Sequence, residues 1–70
     1  MSDQGKTEWP ELVGQTGVRA KSIIEHETQG RIRRVLTVKV NSMVTMDYRP
    51  DRVRIFVDSK GLVAKVPKIG

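Results

Sequence analysis

The stretch Val44-Thr45-Met46-Asp47-Tyr48-Arg49-Pro50-Asp51-Arg52-Val53-Arg54-Ile55-Phe56 decides the reading of this chain. Its second half alternates as a half-buried strand does. Val53, Ile55 and, one step on, Val57 share one face, and Arg52, Arg54 and Phe56 share the other. Its first half has no helical or strand period. The segment from Asn41 to Asp51 therefore reads as a loop, and loops of that length in a small compact domain are functional or disordered. Disorder would bring Gly, Ser and charge, whereas this loop holds Met43, Val44, Met46 and Tyr48. Apolar side chains kept on an exposed loop mark a surface meant to meet a partner.

Upstream of the loop, Ile32 to Val40 is rich in β-branched residues and reads as a strand, partly buried on both faces near Val35-Leu36. Before it, Thr16 is a natural N-cap for a helix from Gly17 to about Thr28. Ala20, Ile23 and Ile24 give that helix an apolar stripe, and Arg19, Lys21, Ser22, Glu25 and His26 face outward. Gly17 and Ser22 weaken it, so tertiary contact must hold it. Gln29-Gly30 ends it, with Gly30 suited to a left-handed backbone. Trp9-Pro10-Glu11-Leu12-Val13-Gly14 is expected to cover one end of the core with Trp9, Leu12 and Val13. Downstream, Asp58-Ser59-Lys60-Gly61 is a turn signal, and Leu62 to Val66 reads as a third strand hairpinned to the second and ended by Pro67. The expected fold is α+β: one small domain, residues 7–70, with a single helix packed on a small mixed sheet and a long exposed loop between two strands. Residues 1–6 are polar, lack the apolar centre of a signal peptide, and read as a disordered leader.

Composition narrows the function. Seventy residues bury only about 60% of the surface of the unfolded chain, so a fold this small is marginal without a staple. There is no Cys, and His26 is the one histidine, which speaks against both a disulfide framework and structural zinc. No cofactor is expected. No apolar run approaches the ~20 residues that span a bilayer. An enzyme is not expected either. Ser22 lies four positions before His26, but no third group or oxyanion site accompanies them. The formal net charge of +5 raises the alternative of a small basic nucleic-acid-binding module. Arg31, Arg33, Arg34 and Lys39 would carry it, in a run free of acids between Thr28 and Met46. A solvated strand face is the plainer account, because Trp9, Tyr48 and Phe56 all lie outside that run and bases would lack a stacking platform.

The loop itself suggests a peptide offered to a protease. A serine protease binds its substrate extended, with the side chain before the scissile bond in a specificity pocket. A loop locked in that shape loses little entropy on binding. Arg52 and Arg54 present forked donors on one strand face. Thr45 and Asp47, flanking Met46, can accept from them, and Gly70 can offer an opposing carboxylate.

Val-Thr-Met-Asp-Tyr-Arg followed by Asp-Arg-Val-Arg, together with Trp9-Pro10, the Ala20 to Ile24 stripe and the Val66-Pro67-Lys68-Ile69-Gly70 terminus, resembles the potato inhibitor I family of serine-protease inhibitors. The resemblance spans nearly the whole chain. It implies a reactive bond at Met46–Asp47 and a protease-contacting loop of Met43, Val44, Thr45, Met46, Asp47, Tyr48 and Arg49. It also implies a support of Thr45, Asp47, Arg52 and Arg54, with Gly70 behind them. The implied partners are chymotrypsin-like and subtilisin-like proteases, because Met46 is unbranched, apolar and uncharged, and a monomer is expected. The chain departs from the family pattern at three places. Pro50 stands where some members carry a loop Cys, Met43 stands where several carry proline, and the segment between helix and loop is a couple of residues longer.

Overall fold

The computed structural model describes residues 5–70, so four of the six leader residues lie outside the described part. Lys6, the last of the six, is described; its Nζ pairs with Glu11 and sits 5.7 Å from the Trp9 ring centroid. The elements in chain order are a 3-10 turn at Pro10–Leu12, helix α1 at Gly17–Thr28, and strands β1 at Arg34–Lys39, β2 at Arg52–Val57 and β3 at Lys68–Ile69.

Helix α1 begins as its sequence says. The Thr16 side chain accepts from the Arg19 amide at 3.2 Å, which answers one of the free N–H groups of the first turn. At the other end Gln29 itself is left-handed, with φ of 49°, and Gly30 follows at 89°. The turn is therefore shared by both residues rather than carried by Gly30 alone. Ala20 and Ile24 are fully buried and Ile23 packs against the same cluster. Burying a side chain such as Ile24 contributes about 1.5–3 kcal/mol, more than helix propensity supplies over this length. Thr28 also points inward, its hydroxyl donating to the Ile24 carbonyl at 2.8 Å.

Strands β1 and β2 run parallel, in a register that pairs Arg34 with Arg52 and Lys39 with Val57. β3 adds antiparallel to the free edge of β2, giving the order β1-β2-β3. The core lies between α1 and one sheet face, where Trp9, Leu12, Ala20, Ile24, Ile32, Val35, Val53, Ile55 and Val63 are buried. Trp9 seals one end, its indole N–H donating to Glu27 Oε1 at 3.1 Å and its amide to the Pro67 carbonyl at 2.9 Å. Val13 does not join it and stays 45% exposed. β1 starts two residues after Ile32; Val35 is buried on one face, while on the other Val38 is half-buried and Leu36 is 40% exposed.

The third strand is not where its composition placed it. The hairpin onto β2 is kept for a single bridge, Val57–Val63, in which the Ala64 amide donates to the Phe56 carbonyl at 2.8 Å and the Asp58 amide to the Leu62 carbonyl at 2.9 Å. Otherwise the main chain of Leu62 and Val63 turns to the residues before α1. The Val63 amide donates to the Gln15 carbonyl at 2.7 Å, Gly14 to Val63 at 2.9 Å, and Gly17 to Gly61 at 2.9 Å. The Asp58 carboxylate fixes the turn into this segment, accepting from the amides of Lys60 and Leu62. With Leu62 and Val63 diverted, the β2 edge is filled by Lys68–Ile69. Pro67 therefore precedes the strand instead of following one.

Gly17 reveals a packing constraint rather than a weak helix former. A Cβ there would lie 2.8 Å from Val57 Cγ1 and 3.2 Å from Thr37 Cγ2. Both neighbours are β-branched and stiff at χ1. Gly17→Ala, which by helix propensity alone would stabilise, should instead lower stability by about 1–3 kcal/mol through overpacking. Urea denaturation checks this, and an unchanged or raised midpoint would contradict it.

Candidate functional site

The parallel register dictates what lies between β1 and β2. Lys39 ends β1 beside Val57, yet β2 must begin at Arg52, beside Arg34. Residues 40–51 therefore travel back the length of a six-residue strand, on the order of 17–20 Å, and parallel crossovers need about a dozen residues to do so. Twelve residues could reach about 40 Å if fully extended, so the return leaves roughly twofold slack and other contacts must fix the loop's shape. It leaves β1 through a turn in which the Ser42 amide donates to Lys39 at 2.9 Å. It enters β2 through another, in which the Arg52 amide donates to Arg49 at 3.2 Å. Pro50 occupies the second position of that latter turn, where its fixed φ is favoured.

Between the two turns, no backbone-to-backbone hydrogen bond ties residues 43–48 to the rest of the described residues. Side chains from the outer face of β2 hold them instead. Arg52, only 6% exposed, spends its whole guanidinium on this task. Its Nε donates to the Gly70 main-chain oxygen at 2.7 Å, its Nη2 to the Asp47 carbonyl at 2.7 Å, and its Nη1 reaches Asp47 Oδ2 at 3.4 Å. Arg54 Nη2 donates to Thr45 Oγ1 at 2.5 Å and lies 3.8 Å from Asp47 Oδ1. The Asp47 carboxylate thus sits between two guanidiniums whose charges would otherwise repel. Gly70 is itself fixed, because its amide donates to the Arg52 carbonyl at 2.9 Å.

Thr45, Asp47, Arg52, Arg54 and Gly70 are therefore brought together, and Met46 is left at the crest, 96% exposed. Met43 is fully exposed, while Tyr48 is exposed but passes close to Gly70. Val44 is half-buried and Arg49 exposed. Sequence reasoning missed two contacts. One is the Thr45 hydrogen bond to Asp47, which spans Met46 directly. The other is the bond from the Arg34 amide to the Asp51 carbonyl at 3.0 Å, which staples the loop's end to β1. The basic run does not form one surface. Arg31 donates to the Lys6 carbonyl at 2.6 Å, Arg33 and Arg34 flank the loop's end, and Lys39 lies at the opposite end of the sheet.

The Thr45 hydrogen bond, followed by the Arg52 charge, holds the Asp47 carboxyl below the ordinary carboxylate range. A carboxyl lowered in the folded state supports the loop fully above its ordinary pKa of about 3.9 and loses that support as pH falls through the lowered value. The carboxylate's share of the clamp is thus in place at neutral pH and lost in acid, while the Arg52 bond to the Asp47 carbonyl and the Arg54 bond to Thr45 do not titrate with it. Carboxyl NMR should find Asp47 titrating below an ordinary Asp, and Thr45→Ala should move it back up. An Asp47 midpoint indifferent to Thr45 would contradict this assignment.

Comparison with known proteins agrees with this architecture. A protein from Momordica charantia named Glu S. griseus protease inhibitor is 54% identical over 67 residues, covering 96% of each chain. A trypsin/subtilisin inhibitor from Amaranthus caudatus is 45% identical over 65 residues, 93% of this chain and 91% of that one. The crystal structure of bitter gourd trypsin inhibitor superposes with a TM-score of 0.86 at 50% identity, covering both chains fully. The model of the potato inhibitor I family matches residues 1–70. With the helix, the mixed sheet, the arginine-held loop and these relatives in agreement, the chain belongs to the potato inhibitor I family.

Proposed function

We propose that this chain is a monomeric, substrate-like inhibitor of serine proteases, with its reactive bond at Met46–Asp47. The observation that carries the reading is the separate anchoring of the two sides of that bond. Thr45, on the acyl side, is held by Arg54, and Asp47, on the amine side, is held by Arg52 through its carbonyl. Arg52 and Arg54 are two residues apart on one strand, and the Asp47 carboxylate lies between their guanidiniums, 3.4 Å from one and 3.8 Å from the other.

The chemistry follows from that arrangement. A protease serine attacks the Met46 carbonyl carbon, and the Asp47 amine leaves. In an ordinary peptide that amine diffuses off and water takes its place. Here Arg52 keeps it beside the acyl-enzyme, at an effective concentration that favours re-ligation over hydrolysis. Apart from the Asp47 carbonyl, which Arg52 holds, the backbone of residues 43–48 is free to add to the enzyme's substrate-binding strand. No part of the binding energy goes into straightening it. The similar proteins' names span trypsin, subtilisin and a Glu-specific enzyme, which fits a common scaffold whose target is set by the residue at the crest.

Met46 offers an apolar, flexible side chain and no cation, which suits chymotrypsin-like and subtilisin-like pockets. Active-site titration should show stoichiometric inhibition of a subtilisin and a chymotrypsin, with trypsin inhibited much more weakly. Met46→Lys should reverse that preference, and a Lys variant with no gain against trypsin would place the reactive bond elsewhere.

Removing the anchors should convert inhibitor to substrate. Charge-assisted bonds of this kind are worth about 1.5–3 kcal/mol each when well formed, so losing even one costs on the order of tenfold in affinity. Arg52→Ala/Arg54→Ala should remain folded in a thermal melt, bind at least about 100-fold more weakly, and be cut at Met46–Asp47. Arg54→Ala alone spares the buried Arg52 and should show the same direction to a smaller degree. A folded double variant that inhibits as lastingly as the parent would remove the arginines from the mechanism.

A further inference from the structure

Three arginines remain that the clamp does not use. Arg33, Arg34 and Arg49 are exposed and make no side-chain hydrogen bond or ion pair with any described residue. They line one concavity together with Thr45, Asp47, Asp51 and Arg52. The Arg52 charge is answered by Asp47, which leaves three guanidiniums against the single Asp51 carboxylate, an excess of two positive charges (3 − 1 = 2). The register explains the clustering. Arg34 sits beside Arg52 in the parallel pair, and the turn at Arg49–Arg52 folds Arg49 over the same strand end. No requirement of the fold accounts for three unanswered guanidiniums there, since side chains of either charge would be solvated equally well.

Position indicates what they meet. Of the loop residues that line the concavity, Asp47, Arg49 and Asp51 follow the proposed reactive bond and Thr45 alone precedes it, so the concavity lies mainly beside the leaving-group half of the loop. A loop of seven residues is also short of the roughly 20–30 residues each side of a stable protein–protein interface, so its flanks must contribute. Charges at an interface rim act mainly on the rate of encounter and on its salt dependence.

We propose that Arg33, Arg34 and Arg49 form a second docking surface, which selects serine proteases carrying an acidic patch on the leaving-group side of the substrate groove. This inference rests on the inhibitor reading of the loop. Met46 then chooses the pocket, and the arginines choose among enzymes that share the same pocket preference.

The test compares association rate constants, by stopped flow, for two proteases of like primary specificity, one acidic and one basic around the leaving-group side. Arg33→Gln/Arg34→Gln removes the two patch arginines that lie outside the loop and leaves Arg49 and the loop untouched. Lys21→Gln/Lys60→Gln removes the same total charge from the helix and the distant turn. At about 10 mM salt the arginine variant should associate about tenfold more slowly than the parent with the acidic enzyme. That difference should fade near about 0.5 M salt, where screening is complete over a few ångströms. Dissociation should be unchanged, the lysine variant should stay within about twofold of the parent, and the basic enzyme should show no loss. An equal loss in the lysine variant would reduce the effect to net charge and overturn the proposal. So would an arginine variant as fast as the parent, and in either case the loop reading would stand. A parent that inhibits neither enzyme would remove both.

Discussion

Parallel pairing of β1 with β2 is the constraint on which the rest of the molecule depends. It leaves the chain at the wrong end of the sheet after Lys39 and obliges residues 40–51 to return along it before β2 can start. Topology thus requires a returning loop, and the side chains that anchor it decide its shape. The cost is a segment with no backbone partner of its own. The outer face of β2 offsets that cost by turning Arg52 and Arg54 toward it, with Asp47 as the counter-charge for both. The inner face of the same strand supplies Val53 and Ile55 to the core. One strand of six residues therefore joins the stability of the domain to the shape of its loop.

That economy explains how a chain without Cys can hold its loop with no covalent tie. Pro50 sits in the turn that leads into β2, and the Arg34 amide pins the adjacent Asp51 carbonyl to β1. The Arg52 guanidinium, buried and fully bonded, replaces a covalent cross-link with directional bonds that hold the loop from within. Burying a guanidinium is costly unless its donors are answered, and here they are. No buried side-chain nitrogen or oxygen among the described residues lacks a partner.

Much of this was legible in the sequence. The Thr16 cap, the Ala20 to Ile24 stripe and the alternation of β2 each follow from a local period, and the structure reproduces them. The loop was legible by elimination, and the arginine pair by its place on one strand face. The misplaced third strand fails for a different reason. Leu62 to Val66 has strand composition, but which backbone a short segment pairs with is settled by competition among partners distant in sequence. Gly14 and Gln15 took Val63, and Phe56 of β2 kept only Ala64. Gly17 misled in the same way: its lack of a side chain reads locally as helix weakness, while its cause is the close approach of Val57 and Thr37. The exposure of Val13 and Leu36 likewise depends on where neighbouring elements stop, which no local pattern records.

The central claim is that the sheet holds both sides of the Met46–Asp47 bond in place, whether the bond is intact or cut. The most direct measurement starts from chain already cleaved at that bond, purified as the two-fragment form, and adds a catalytic amount of subtilisin. Mass spectrometry then follows the reappearance of intact chain, beside a parallel incubation begun from the uncut protein. Held ends predict that intact chain forms and that both incubations converge on one ratio with both species plainly present. Cleaved chain that never re-ligates, while uncut chain is steadily consumed to completion, would contradict the account.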